Sequence, residues 1–176
     1  MNTQSTNSTP SAVGPPTDEE ILASLARRQE QICEIWARVE ATARKLVAQT
    51  GELATDIRFS CGDTNYTHYD HEEFSWTDQD GDRRRLERGA VEESTSKEDW
   101  DALDAQLDDL GELTFPQPGE VGRESLTFCD HDLALLIYGV EDEWGNYDTE
   151  DSPVYQRFLV LDAAREGHGQ TGRDAT

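Results

Sequence analysis

Basic residues are scarce in this sequence, and lysine is nearly absent. Its 176 residues include 38 Asp and Glu against 15 Lys and Arg, and the two lysines are Lys45 and Lys97. The resulting formal charge of −23 repels nucleic-acid phosphates and anionic membrane surfaces. We therefore expect no direct binding to nucleic acid and no binding to a membrane. The expected partner is another protein with a basic surface.

The same shortage of lysine is typical of surfaces adapted to a salt-rich solvent. Hydrated carboxylates keep a protein soluble there, and dissolved ions screen their mutual repulsion. A halophile-type surface is the plainer interpretation of the charge, because net charge bears on solubility more directly than on mechanism.

Long hydrophobic runs are also missing. The longest covers residues 133–140, whereas a membrane-spanning helix needs about 20 apolar residues. The first residues lack the basic and apolar regions of a secretory signal peptide. The cysteines Cys33, Cys61 and Cys129 are odd in number and widely spaced, which does not fit a disulfide framework. These absences predict a protein of the reducing cytoplasm.

Composition divides the chain into three parts. Residues 1–16 and 166–176 are dominated by small polar residues, glycine and proline, and such segments bury too little apolar surface to offset their ordering entropy. We therefore predict a disordered leader over 1–16, a disordered tail over 166–176 and a single α+β domain over 17–165.

The domain opens with signals for a long helix. Thr17 and Glu20 have the spacing of a capping box, in which each side chain bonds to the other residue's backbone amide. Gly51 is a typical residue just beyond a helix C-terminus. These signals predict one helix over residues 17–50.

Apolar residues recur along this helix at alternating spacings of four and three, with the polar residues Arg28 and Thr42 at two of the steps, which is a heptad-like seam. The seam consists of Ile21, Leu25, Ile32, Ile35, Val39 and Leu46. Two interpretations stay open. The seam packs on the chain's own sheet, or it binds a second chain as a coiled coil, which would allow self-association through the N-terminal helix.

Beyond the helix the apolar period changes to two. Alternation and aromatic or β-branched residues predict strands at residues 56–61, 66–77, 83–87, 126–129, 133–140 and 154–162. The segments 126–129 and 133–140 are two strands, or one strand with a bulge at 130–132. Ser96 is a suitable N-cap for a second helix over 96–110. Short turns between neighbouring strands favour antiparallel pairing. The expected fold class is α+β, with a long N-terminal amphipathic helix over 17–50 and a shorter helix packed on a mainly antiparallel sheet of about five strands within 55–165.

Most of the cysteines and histidines fall in two short segments. The set is Cys61, His68, His71, Cys129 and His131. Thiolate and imidazole are the usual ligands of zinc, so these residues are candidate metal ligands and zinc is the cofactor they would take. Their spacings match no standard zinc motif, and buried cysteine with surface histidine accounts for them equally well. A thiol nucleophile, Cys129 beside His68 or His71, is the catalytic interpretation of the same set.

Two aromatic residues lie in an acidic segment near the C-terminus. Trp144 and Tyr147 are candidate partner-binding residues, because aromatic side chains often dominate binding energy, or they are ordinary cross-strand pairs.

We assign no catalytic residue, since no catalytic motif is present. The leading hypothesis is a non-enzymatic acidic interaction protein, such as an accessory subunit, an inhibitor or an immunity-type partner, in one form a nucleic-acid mimic that binds a basic protein. The alternatives are a small metal-dependent or thiol enzyme and a zinc-stabilised structural domain.

The charge of −23 predicts how stability depends on salt. Added KCl screens the repulsion among carboxylates, so the melting temperature is expected to rise markedly from low to molar KCl. Thermal unfolding followed by circular dichroism measures this. A melting temperature that stays flat across the series would contradict the halophile-type interpretation.

Overall fold

The structure, a computed structural model, describes residues 14–62, 68–91, 93–114, 119–141, 147–150 and 152–170. Most of the predicted leader and the last six residues of the predicted tail lie outside these ranges. The helices are α1 Asp18–Gln49, α2 Arg88–Val91, α3 Lys97–Leu113, α4 Asp130–Tyr138 and α5 Pro153–Gln170, with a 3-10 helix at Arg123–Leu126. The strands are β1 Thr55–Cys61, β2 Tyr69–Thr77, β3 Arg83–Glu87, β4 Gly119–Val121, β5 Val140–Glu141 and β6 Tyr147–Asp148.

The predicted α+β fold class is confirmed. Strands β3, β2, β1 and β4 form, in that order, a four-stranded sheet in which all neighbours are antiparallel. Strands β5 and β6 form a separate antiparallel pair, so the main sheet has four strands rather than about five. The long N-terminal helix and further helices pack on this sheet. None of the helices among the described residues is long and apolar enough to cross a membrane.

The ends of α1 follow the predicted signals. The Thr17 amide donates to Glu20 Oε2 at 2.7 Å, and the Glu20 amide donates to Thr17 Oγ1 at 3.3 Å. This is the capping box, and it satisfies amides that the first turn leaves without a helical partner. At the other end Gly51 has φ +86°, a left-handed conformation that suits glycine. The helix predicted over 17–50 therefore forms as one element.

The apolar seam of α1 is buried in the chain's own core. Its members are Ile21, Leu25, Ile32, Ile35, Val39 and Leu46, each at most 8% exposed. They face α3, α4, α5 and β1, so a second chain has no access to them in this structure. The structure therefore agrees with the first interpretation, in which the seam packs within the chain. The five seam residues proposed as partner-binding, Ile21 to Val39, serve as core instead.

A chain of aromatic contacts links α1, the sheet and α3. Trp36 of α1 meets Phe59 of β1 edge-on with ring centroids 6.1 Å apart. Phe59 lies 5.3 Å from Phe74 of β2, and Phe74 lies 5.9 Å from Trp100 of α3. Such pairs add roughly 0.5–1.5 kcal/mol each beyond the burial of their area. The sheet is thus covered by helices on the face that these rings occupy.

The strands predicted at 126–129 and 133–140 are wrong. Residues Arg123–Leu126 form the 3-10 helix, and α4 takes most of the second range. An apolar run of this length is compatible with a strand or with a buried helix, and periodicity does not separate the two. The carboxylates at the start of α4 favour the helix because they complement its dipole.

The strand predicted at 154–162 is wrong as well, because these residues belong to α5. Ser152 caps this helix, with its Oγ accepting from the Tyr155 amide at 3.2 Å. Pro153 occupies the first helical position, where its missing N–H costs nothing. The helix continues to Gln170, five residues into the segment whose composition predicted disorder.

The buried seam of α1 predicts a large effect of truncation. Ile35→Ala is expected to lower the free energy of unfolding by about 2–5 kcal/mol, because it leaves a cavity in the buried core. Chemical denaturation measures the change, and light scattering is expected to give an unchanged mass. The exposed Glu34 provides the control, since Glu34→Ala should stay within about 0.5 kcal/mol of the parent. Unchanged stability of Ile35→Ala together with a lower mass would instead indicate an intermolecular seam.

Candidate functional site

Helix α3 presents carboxylates to solvent along one side. Ser96 caps it, with its Oγ accepting from the Asp99 amide at 3.3 Å. The side chains that face inward are Trp100, Leu103, Leu107 and Leu110, and all are buried. Spacings of three and four residues place a second set together on the outward side. We name the acidic stripe as Asp101, Asp104, Asp108 and Glu112.

The carboxylate of Asp99, on the same helix, has a different role. It is 8% exposed and lies at the junction of α1 and α3. Lys45 Nζ lies 2.7 Å from its Oδ1, and Gln49 Nε2 donates to its Oδ2 at 2.6 Å. The hydrogen bond from Lys45 lowers the pKa of Asp99. This carboxylate is therefore committed to holding the two helices together.

Cations neutralise the N-terminal half of the acidic stripe. Arg88 donates to Asp104 at 2.8 Å and to Asp101 at 3.0 Å, and its guanidinium lies 5.7 Å from the centre of the Trp100 ring. Lys97 lies 2.6 Å from Asp101. These contacts use two of the few basic side chains of the protein, so Asp101 and Asp104 have little charge left to offer a partner.

The C-terminal half of the stripe is not neutralised in this way. Within the described ranges, neither Asp108 nor Glu112 pairs with an arginine or a lysine. His71 Nε2 lies 3.5 Å from Asp108, and its Nδ1 lies 3.9 Å from Asp104, so each distance is at or beyond the limit of a hydrogen bond. The Asp108 side chain is 71% exposed, which leaves it open to a cationic group.

A depression of about 400 Å³ adjoins this open half of the stripe. It is lined by His68, Tyr69, His71, Leu107, Asp108, Gly111 and Glu112. The acidic side chains lie on α3, and the histidines lie at the start of β2. The depression thus combines apolar surface with two carboxylates, a combination that suits the aliphatic stem and charged head of a lysine or an arginine.

The arginine run at 83–85 is engaged within the sheet. Arg83 lies 3.0 Å from Asp56, Arg84 lies 2.8 Å from Asp78, and Arg85 lies 3.2 Å from Glu73. Glu73 belongs to the neighbouring strand β2. These pairs neutralise acids around β2 and β3. The run therefore offers no concentrated positive charge for a phosphate group.

The candidate metal ligands do not converge on one site. Cys61 is buried on β1, and the amide of the next residue, Gly62, donates to the His68 carbonyl at 3.3 Å, while His68 and His71 line the depression beside α3. Cys129 and His131 lie at the start of α4. Across the residues that the structure describes, no group of three or more His, Cys, Asp or Glu side chains is arranged to hold a metal ion. The geometry therefore offers no shared zinc site for this set.

The Cys–His pairing needed for a thiol nucleophile is likewise not formed. The Cys129 thiol donates to Asp132 Oδ2 at 3.1 Å and caps α4 by accepting from the Asp132 amide at 3.4 Å. The ring of His131 lies 3.1 Å from the Tyr155 hydroxyl. Burial raises the pKa of the Cys61 thiol to about 11, which keeps it protonated and unreactive near neutrality.

The two aromatic candidates give no defined surface. Trp144 lies outside the described residues, and Tyr147 lies in β6, where it pairs with Glu141 of β5. No recognisable motif in the sequence marks the acidic stripe. Its spacing is visible in the sequence, but the acids that remain unpaired are identified only by the position of Arg88.

Comparison with known proteins identifies no relative of this chain. No protein-family model, curated protein or solved structure matches this chain. Its function is therefore inferred from the geometry of its own residues, and above all from the acidic stripe and the depression beside it.

Thiol accessibility provides a test of the cysteine assignments. Cys33 and Cys129 are exposed and Cys61 is buried, so an aromatic disulfide reagent is expected to titrate two thiols in the native protein. The third should react after unfolding, because the native fold both covers its sulfur and disfavours the thiolate. Absorbance of the released thiol measures the count. Rapid native labelling of Cys61, located by peptide mass spectrometry, would contradict its burial.

Proposed function

We propose that this chain is a non-enzymatic interaction protein that binds a basic surface of another protein through its acidic stripe. The observation that carries the proposal is the distribution of charge among the helices. Helix α3 has seven carboxylates and a single lysine, whereas α1 has six carboxylates and five basic residues. Among the helices, α3 therefore carries the densest net negative charge.

The open end of the stripe supplies the chemistry for recognition. A lysine or arginine of the partner would lay its aliphatic stem beside Gly111 and direct its charge to Asp108 and Glu112. Arginine would bind a carboxylate through two parallel hydrogen bonds. Exposed ion pairs contribute little individually, so affinity would depend on several of them, and long-range attraction would speed the encounter.

This function fits an accessory subunit, an inhibitor or an immunity-type partner. Mimicry of nucleic acid is a narrower form of the same proposal, supported by stripe residues that lie about 6 Å apart along the helix at a spacing of four. A reducing, cytoplasmic location belongs to the proposal too, since Cys33, Cys61 and Cys129 are all free thiols. The separation of the cysteines and histidines gives the enzymatic and zinc-based alternatives less support.

A charge-reversal pair tests the proposal. Asp108→Lys with Glu112→Lys alters the open end of the stripe, and Glu30→Lys with Glu34→Lys makes the same change in charge, at the same spacing, on exposed positions of α1. Fluorescence anisotropy of a labelled oligoarginine peptide measures binding at low KCl. The stripe variant is expected to weaken binding about tenfold or more. The α1 variant should weaken it by less than about threefold, because only total charge has changed.

Equal losses in the two variants would mean that the peptide responds to net charge alone, and the proposal would fail. A chromatographic pull-down from cells of the native host, with the same two variants as bait, extends the test to real partners. A basic protein retained by the parent and the α1 variant but lost from the stripe variant is the expected result.

A further inference from the structure

The carboxylate of Asp104 has one oxygen without a hydrogen-bond partner. Its Oδ2 accepts from Arg88 at 2.8 Å, whereas its Oδ1 is buried and receives no hydrogen bond from the described part of the chain. A buried acceptor without a donor destabilises a fold. His71 Nδ1 faces this oxygen at 3.9 Å, which is too far for a hydrogen bond. A small movement of the His71 ring would therefore complete the contacts of Asp104.

The ring of His71 lies between two carboxylates of the acidic stripe. Its Nε2 lies 3.5 Å from Asp108, which follows Asp104 by one helical turn. A neutral imidazole has one N–H and donates to one neighbour, whereas a protonated ring has an N–H on each nitrogen and a positive charge. Imidazole is the side chain that ordinarily changes charge between pH 5 and 8. Protonated His71 would thus donate to both carboxylates and join β2 to α3.

The groups around His71 are mostly acidic. Burial raises the pKa of the Cys61 thiol to about 11 and the pKa of the Tyr69 phenol to about 12, so both stay neutral between pH 5 and 8. The other titratable or charged groups on the neighbouring elements are Asp104, Asp108 and Glu112 on α3, Arg88 on α2, His68, Asp70, Glu72 and Glu73 on β2, and Glu87 on β3. A positive charge on the ring therefore meets mainly opposite charges.

We propose that His71 is a pH-dependent switch on the open end of the acidic stripe. When His71 is neutral, Asp108 is open to a lysine or an arginine of the partner. When His71 is protonated, it binds Asp104 and Asp108, offsets the charge of Asp108 and repels a cationic side chain that enters the depression. This inference rests on the proposed function and adds its regulation, since a basic partner then binds more weakly at pH 6 than at pH 8.

Matched histidine substitutions test the switch. His71→Gln replaces the titratable ring with a neutral amide, and His131→Gln makes the same change on α4, where the ring contacts Tyr155 instead. Fluorescence anisotropy of the labelled oligoarginine peptide measures affinity at pH 8 and pH 6, at one low ionic strength. The parent and His131→Gln are expected to bind about fivefold or more weakly at pH 6, whereas His71→Gln should change by less than about twofold.

Unfolding in urea tests the contact without any peptide. Protonated His71 stabilises the fold by joining β2 to α3, so this contribution is present at acidic pH and is lost as the pH rises. The urea midpoint of the parent is therefore expected to exceed that of His71→Gln by more at pH 6 than at pH 8. In an Asp108→Asn background the same comparison should depend less on pH, because one of the two acceptors of the ring is then uncharged.

Failure of the switch and failure of the proposed function give different results. Equal weakening by the stripe variant and the α1 variant at pH 8 would contradict the proposed function. Binding that depends on the stripe but has the same pH dependence in the parent and in His71→Gln would overturn the switch alone. A difference in urea midpoint that does not change with pH would overturn the contact of His71 with the two carboxylates, even where the peptide does not bind.

Discussion

The packing of one long helix against an aromatic core is the interaction on which the rest of the molecule depends. Helix α1 contributes a continuous apolar seam, and Trp36 joins that seam to the rings of β1, β2 and α3. Burial of apolar area at about 25 cal/mol per Å² is the main favourable term available to a chain this acidic. Because the seam is used internally, it is not available to bind another molecule.

The protein has few arginine and lysine side chains, so the carboxylates that they contact also show which carboxylates are left without a cation. The arginines of β3 lie beside acids of the sheet, Arg88 holds Asp101 and Asp104, and Lys45 holds Asp99. The lowered pKa of Asp99 means that this pair stabilises the fold at neutral pH. The contribution is lost as the pH falls through the lowered value, where the carboxylate becomes protonated. What remains without a cation at the end of α3 is therefore a local excess of negative charge rather than an average property of the surface.

The sequence predicts the elements whose signals are local and agree with one another. The capping box at Thr17, the regular seam and Gly51 together define α1. Helices α4 and α5 were predicted as strands because their apolar residues lack a clear period, and the cap of α4 is a cysteine rather than one of the usual residues. Ser152 and Pro153 did mark the start of α5, but the apolar run beyond them is equally typical of a strand. The open end of the acidic stripe depends on long-range contacts of Arg88, which no local pattern in the sequence records.

The near absence of lysine has a consequence for covalent labelling. Lys45 lies on α1 and contacts α3 at the junction of the two helices, and Lys97 lies in the first turn of α3. Any acylation of lysine side chains therefore acts at this one corner of the molecule. At Lys97 it removes one of the two cations that contact Asp101, whereas at Lys45 it removes the cation that pairs with the largely buried carboxylate of Asp99. Amine-reactive dyes and surface-coupling chemistry would thus perturb the α1–α3 junction of this protein before they touched any other part of its described surface.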